Sequence, residues 1–204
     1  MTNPSPTNPF PQWIRWLALI FLAIWLTIYL KYWGPTTFLF LCDIAVILTC
    51  IGIFTANALL LSSQAVSSLV IDTVWLLDIL SKLIFNRHIV GGTEYFFDPS
   101  YPLWVRLIST FHVAMPFVLI GALRRTGYDY RALRLQFLIA TVAMIASRFA
   151  SPYKNINFVF ADPLLHKQWG PVPLHVVCML LGLTLVIYVP THFALLRILP
   201  AKRS

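Results

Sequence analysis

Cys42, Asp43, Asp72, Asp78 and His112 stand inside long apolar stretches of the chain, where an ionisable side chain is costly and usually functional. A cysteine with a histidine can carry nucleophilic acyl transfer. The imidazole of His112 would take the Cys42 proton, sulfur would attack an ester carbonyl, and Asp72 or Asp43 would orient the ring. Arg148, Asn155, Asn157 and Asp162 flank the same region as binding candidates, and a neutral donor such as Asn157 suits an oxyanion. Each residue also has a plainer role open to it. Cys42 fits as a small packing residue, His112 as an interhelical hydrogen-bond partner, and Asp43 or Asp72 as an ion-pair partner of Arg148 or Arg106. His88, Glu94, His112 and His166 are metal-ligand types, but no HxxxH, HxH or CxxC spacing joins them, and there is no glycine-rich phosphate loop or GxSxG elbow. Neither a metal nor a cofactor is expected.

Helices must position these residues. Of 204 residues, 59% belong to the apolar set AVILMFWYC and only 11% are charged, against about 25% charged in an average soluble domain. Too few polar residues remain to cover a soluble surface. A secreted disulfide scaffold, a soluble nucleotide enzyme and a nucleic-acid-binding domain are thereby excluded. The net charge of +8 comes from basic residues at the ends of apolar runs, with no basic stripe interleaved with aromatics. Apolar runs extend over Trp13 to Leu30, Thr36 to Ala56, Leu59 to Phe85, Trp104 to Leu123, Ala132 to Ala150 and Val172 to Leu199. At about 1.5 Å per residue each can cross a hydrocarbon layer of about 30 Å. The predicted fold is all-α, a polytopic membrane protein built as a bundle of six transmembrane helices over residues 13–199, with a disordered tail at 1–12 and a basic tail at 200–204.

With six spans, both termini share one side, here called A, with the short connections that carry Arg124, Arg125, Arg131 and Arg134 and the tail that carries Lys202 and Arg203. The positive-inside rule makes side A cytoplasmic. The titratable groups gather toward side B. Cys42 and Asp43 fall about 9 to 11 Å into a span that starts at Thr36, and His112 falls about two turns into the fourth. Along the third span Gln64, Ser68, Asp72, Trp75 and Asp78 share an arc of about 120°. A polar cavity open to side B and lined by Cys42, Asp72, Asp78, His112 and Asn157 is the expectation.

Three stretches carry a family resemblance. FLFLCDIAVILTCIGIFTANALL resembles the Leu-rich segment with its "LCD" in the YwaF-like family of bacterial integral membrane proteins, LISTFHVAMPFVL its histidine-containing stretch, and NINFVFADPLLHKQWGPVPL its Asn-aromatic motif followed by a Gly-Pro-x-Pro start of the last helix. They occur in the family's order between about Phe38 and Leu174. The family is similar to animal transmembrane acyltransferases that use a cysteine to move fatty acyl chains between phospholipids. The resemblance implies a nucleophile at Cys42 and a base at His112, in a bacterial plasma membrane. Departures are Val172, where a tryptophan is common, and the acidic region from Asp72 to Asp98, which has no counterpart. Phe40 stands where more distant hydrolases place a threonine. The expected function is lipid-directed acyl transfer or ester hydrolysis with membrane lipids as partners. A non-catalytic protein that binds a lipid or small ligand, or scaffolds a membrane complex, is the alternative.

Overall fold

Helix ends follow the prolines, glycines and asparagines that interrupt the apolar runs. A computed structural model of the chain describes residues 8–202 as all-helical, with an isolated bridge between Tyr128 and Ala201 and no strand among those residues. Helix α1 (Gln12–Trp33) starts after Pro11 and stops at Gly34, whose φ of 78° suits glycine. A 3-10 turn at Pro35–Leu39 leads to α2 (Leu41–Thr55), and only Ala56 and Asn57 separate α2 from α3 (Ala58–Phe85). Asn57 makes so short a turn possible by capping α3, its side chain accepting from Leu60 N–H at 3.1 Å. Gly52 makes it close, since a Cβ there would lie 2.9 Å from Leu61 Cγ. Next come α4 (Leu103–Ile108) and α5 (Phe111–Thr126), one rod broken at Ser109 and Thr110, and then α6 (Ala132–Ser147). The last rod runs through α7 (Val172–Gly182), a π-helical stretch at Leu183–Tyr188 and α8 (Val189–Ile198).

Three rods, Gln12–Trp33, Leu103–Thr126 and Val172–Ile198, are long and apolar enough to cross a membrane. Helices α2 and α6 are apolar but have 15 and 16 residues, about 22 to 24 Å of helix. They fall short of the predicted runs because Pro35–Leu39 is wound as a 3-10 turn and the chain leaves α6 at Arg148. The longest helix, α3, has 28 residues and packs against α2, α5, α6 and the last rod. Its central position buries its aspartates, with Asp72 and Asp78 each only 1% exposed. By contrast α1 turns Trp13, Leu17, Ile20 and Ile24 outward and buries Leu22, Trp25 and Tyr29.

The predicted disordered tail is in part packed. Phe10 is buried and Asn8 Nδ2 donates to the Phe54 carbonyl at 3.3 Å. Residues 1–7 of that tail and 203–204 of the basic one lie outside the described residues. The start of the basic tail is tied down too. Tyr128 N–H donates to Pro200 O at 2.8 Å and Lys202 N–H to Tyr128 O at 2.9 Å. Gly127 permits that approach, because a Cβ on it would collide with the Ala201 carbonyl.

Candidate functional site

Because the 3-10 turn precedes it, α2 opens at Leu41, and Cys42 and Asp43 stand in its first turn, nearer its end than the sequence predicts. An acid suits that position, where free N–H groups and the helix dipole favour negative charge. Thr37 Oγ1 donates to Asp43 Oδ2 at 2.9 Å, and Cys42 Sγ donates to Asp43 Oδ1 at 3.9 Å, a long bond even for sulfur. Cys42 is half-buried, and Asp43 is 3% exposed.

From α3 and α5 comes a second pair. Asp72 Oδ1 and His112 Nδ1 are 2.7 Å apart, with side chains 1% and 5% exposed. With the carboxylate ionised and the ring neutral, Nδ1 donates to Oδ1 and Nε2 keeps its lone pair. The His112 ring stacks with Trp75 at 4.6 Å between centroids and 22° between planes, and with Phe111 at 4.2 Å and 27°. Asp72 Oδ2 is buried and receives no hydrogen bond from the described residues. No hydrogen bond joins Cys42 to His112 among the described residues. Tyr29 OH and Ser109 Oγ share a hydrogen bond of 3.0 Å, and Tyr95 OH accepts from Trp75 Nε1 at 3.1 Å. Burial pushes the Tyr95 phenol well above its ordinary pKa, which keeps it a neutral donor.

The remaining candidates hold the frame. Asn157 is fully engaged: its Oδ1 accepts from Leu41 N–H at 3.0 Å, and its Nδ2 donates to Leu39 O at 2.7 Å and Ser147 Oγ at 3.0 Å. It ties the start of α2 to the end of α6 and has no donor left for an oxyanion. Asn155 folds its own loop through Phe160 N–H, Ala161 N–H and Ala161 O. Arg148 donates to Val159 O at 3.0 Å and lies over the Phe160 ring, while Arg106 donates to Phe96 O, so neither arginine pairs with Asp43 or Asp72. Asp162 accepts from Leu164, Leu165 and Lys167 N–H and from Trp169 Nε1. These donors, Leu165 N–H foremost, hold its carboxyl below the usual range. Asp78 clamps the 86–102 connection.

Of the residues predicted to line a side-B cavity, Asp72 pairs with His112 and Cys42 with Asp43, on helices α2, α3 and α5 that pack together, while Asp78 and Asn157 hold connections in place. Asp43, Asp72 and His112 are buried and Cys42 is half-buried. One shallow apolar groove is lined by Ala23, Ile24, Thr27 and Ile28, another by Leu39 with α2 and α6 residues including Leu48 and Val142, and neither reaches Cys42 or His112. No three His, Cys, Asp or Glu side chains converge as a metal set among the described residues. Thr37, Tyr29, Ser109 and Tyr95 were not singled out from the sequence. Only Tyr95 had a visible signal, the GGTEYFFD run of paired glycines and aromatics in an otherwise polar connection. No family model, curated protein or solved structure matches the chain.

Proposed function

We infer that the chain is a six-span protein of a bacterial plasma membrane, with both termini cytoplasmic and a lipid-directed acyl-transfer or ester-hydrolysis site in the outer half of the bundle. The three rods of membrane-crossing length support the membrane assignment. Helices α2 and α6 are short by several ångströms, a mismatch that local bilayer thinning accommodates at fractions of a kcal/mol per ångström. The exposed arginines at Arg124, Arg125, Arg131 and Arg134 support a cytoplasmic side A. The likeness of the Cys42, His112 and Asn155–Leu174 segments to the YwaF-like family points the same way.

The observation that carries the chemistry is the buried 2.7 Å bond between Asp72 and His112, which leaves Nε2 free as a base. In this reading Nε2 takes the Cys42 proton and sulfur adds to a lipid ester carbonyl. The carbon–oxygen bond to the lipid alcohol then breaks as the imidazolium returns the proton to that alcohol. Water or a second lipid hydroxyl resolves the thioester, again with His112 as base. The step requires the thiol to turn from Asp43 toward His112. The competing reading, a lipid-binding or scaffolding protein, is favoured by the thiol's bond to Asp43 and the burial of Asp43, Asp72 and His112.

Turnover of acyl-labelled phospholipid in proteoliposomes tests the two. Cys42→Ala should abolish acyl release and thioester labelling with little loss of thermal stability. Cys50→Ala, about 12 Å deeper along α2, should be silent, and His112→Gln should lower kcat at least a hundredfold with KM little changed. Equal and small effects of all three substitutions would leave the binding reading in place.

A further inference from the structure

Asp78 lies outside the Cys42, Asp72 and His112 cluster, yet an unbroken run of contacts joins the two. Asp78 Oδ1 accepts from the backbone N–H groups of Ile89, Val90 and Gly91 at 2.6, 2.8 and 3.2 Å. Its Oδ2 meets His88 Nδ1 at 2.8 Å and accepts from the Thr93 hydroxyl. One carboxylate thus fixes the first half of the 86–102 connection, and Gly91 and Gly92, with φ of 84° and 81°, allow the chain to reverse around it. The following turn, Glu94–Phe96, brings Tyr95 back onto α3, where its hydroxyl accepts from Trp75. The Phe96 ring packs edge-on against the same indole at 5.6 Å, and Arg106 binds the Phe96 carbonyl. Trp75 in turn lies nearly parallel to the His112 ring.

The geometry points to Trp75 and Tyr95 as positioning residues for His112, with Asp78 setting Tyr95 in place; this rests on the reading of His112 as the base. The bond from Nδ1 to Asp72 fixes the direction of the imidazole but leaves a rocking motion about that bond. The stacked rings of Phe111 and Trp75 restrict the motion, and of the two the Trp75 indole is itself held by the Tyr95 hydroxyl. An aromatic face also favours a cation, so the same contact stabilises the imidazolium formed when His112 takes the thiol proton. A connection that looks like a solvated loop is on this view part of the site, and it explains why a carboxylate with so many donors is placed beside it.

The test is NMR of ¹⁵N-histidine-labelled protein in detergent micelles, with the His112 ring signals assigned by His112→Gln, alongside lipid turnover. Tyr95→Phe and Asp78→Asn should broaden or shift the His112 signals and lower kcat about tenfold at unchanged KM. Trp75→Phe should do the same, and the double variant Trp75→Phe, Tyr95→Phe should be no worse than either alone, because both delete one bond. If Asp78→Asn fails to fold, Tyr95→Phe, which removes a single oxygen, decides. Unchanged His112 signals in the Tyr95→Phe protein would overturn the positioning role whatever turnover does. Perturbed signals in a protein whose wild type turns over no lipid would reject acyl transfer and leave the positioning role standing.

Discussion

Asn157 combines a φ of 53° with hydrogen bonds to two different elements, so its side chain and its backbone are both specialised. Asn157→Ala strands a helix N-terminus and a carbonyl and imposes a left-handed conformation on alanine. We expect a loss of about 2 to 4 kcal/mol in detergent unfolding. Asn157→Gly should recover about 1 kcal/mol of that by relaxing the backbone, and a stability unchanged in both would show that the tie is not made. The NINF run marks the residue in the sequence, but not which of its atoms are free, and that decided against an oxyanion role. Asp162, a binding candidate in the sequence, is engaged by N–H groups of its own loop at Leu164, Leu165 and Lys167. Asp78 was no more legible. Its partners arrive from 10 to 15 residues further along, through a path no periodicity specifies.

At the scale of elements, hydropathy located the helices but misplaced the end of α6 and, more tellingly, the start of α2. Thr36 to Phe40 is apolar enough to read as helix, yet Pro35 opens a 3-10 turn there and Phe40 is extended, with ψ of 134°. Hydropathy measures where a segment can lie, and backbone restraint decides how it is wound. The connection between α5 and α6 offers a test. Asp129 accepts from Arg131 Nε at 3.0 Å and Nη2 at 2.8 Å and faces Lys202 Nζ at 3.6 Å. The Arg131 hydrogen bonds hold the Asp129 carboxyl down at about 2, whereas an unfolded aspartate titrates near about 4. The stabilisation is therefore complete above pH ~4, fades as the pH falls toward ~2, and is absent below. Arg131 is half-exposed, so screening limits it to about 1 kcal/mol. The difference in melting temperature between wild type and Asp129→Asn should be constant from pH 7 to 5 and close between pH ~4 and ~2. A gap that persists at pH 2 would assign the effect to packing.

For the molecule as a whole, the all-helical architecture and the three helices of membrane-crossing length were legible because apolar runs punctuated by proline, glycine and asparagine leave few alternatives. The burial of Asp72 and His112 beside Trp75 and Phe111 was not, because it depends on which aromatic side chains reach the polar residues that share a level. One further consequence follows from the placement of α3 at the centre, with Gln64, Asp72 and Asp78 all buried by neighbours. In the six-span arrangement proposed above, the same side chains face lipid before those neighbours exist, at about 2.5 to 3.5 kcal/mol for each aspartate. Alone, α3 is a poor passenger for an insertion machinery that releases helices one at a time. Joined to α2 through the short turn at Ala56 and Asn57, it can leave as a hairpin that shields Gln64 and Asp72. In a reporter-fusion insertion assay, residues 58–85 alone should cross inefficiently, and residues 36–85 should cross well. Asp72→Leu should rescue the isolated helix, which would make the order of biogenesis, and not only the finished bundle, a property of one buried carboxylate.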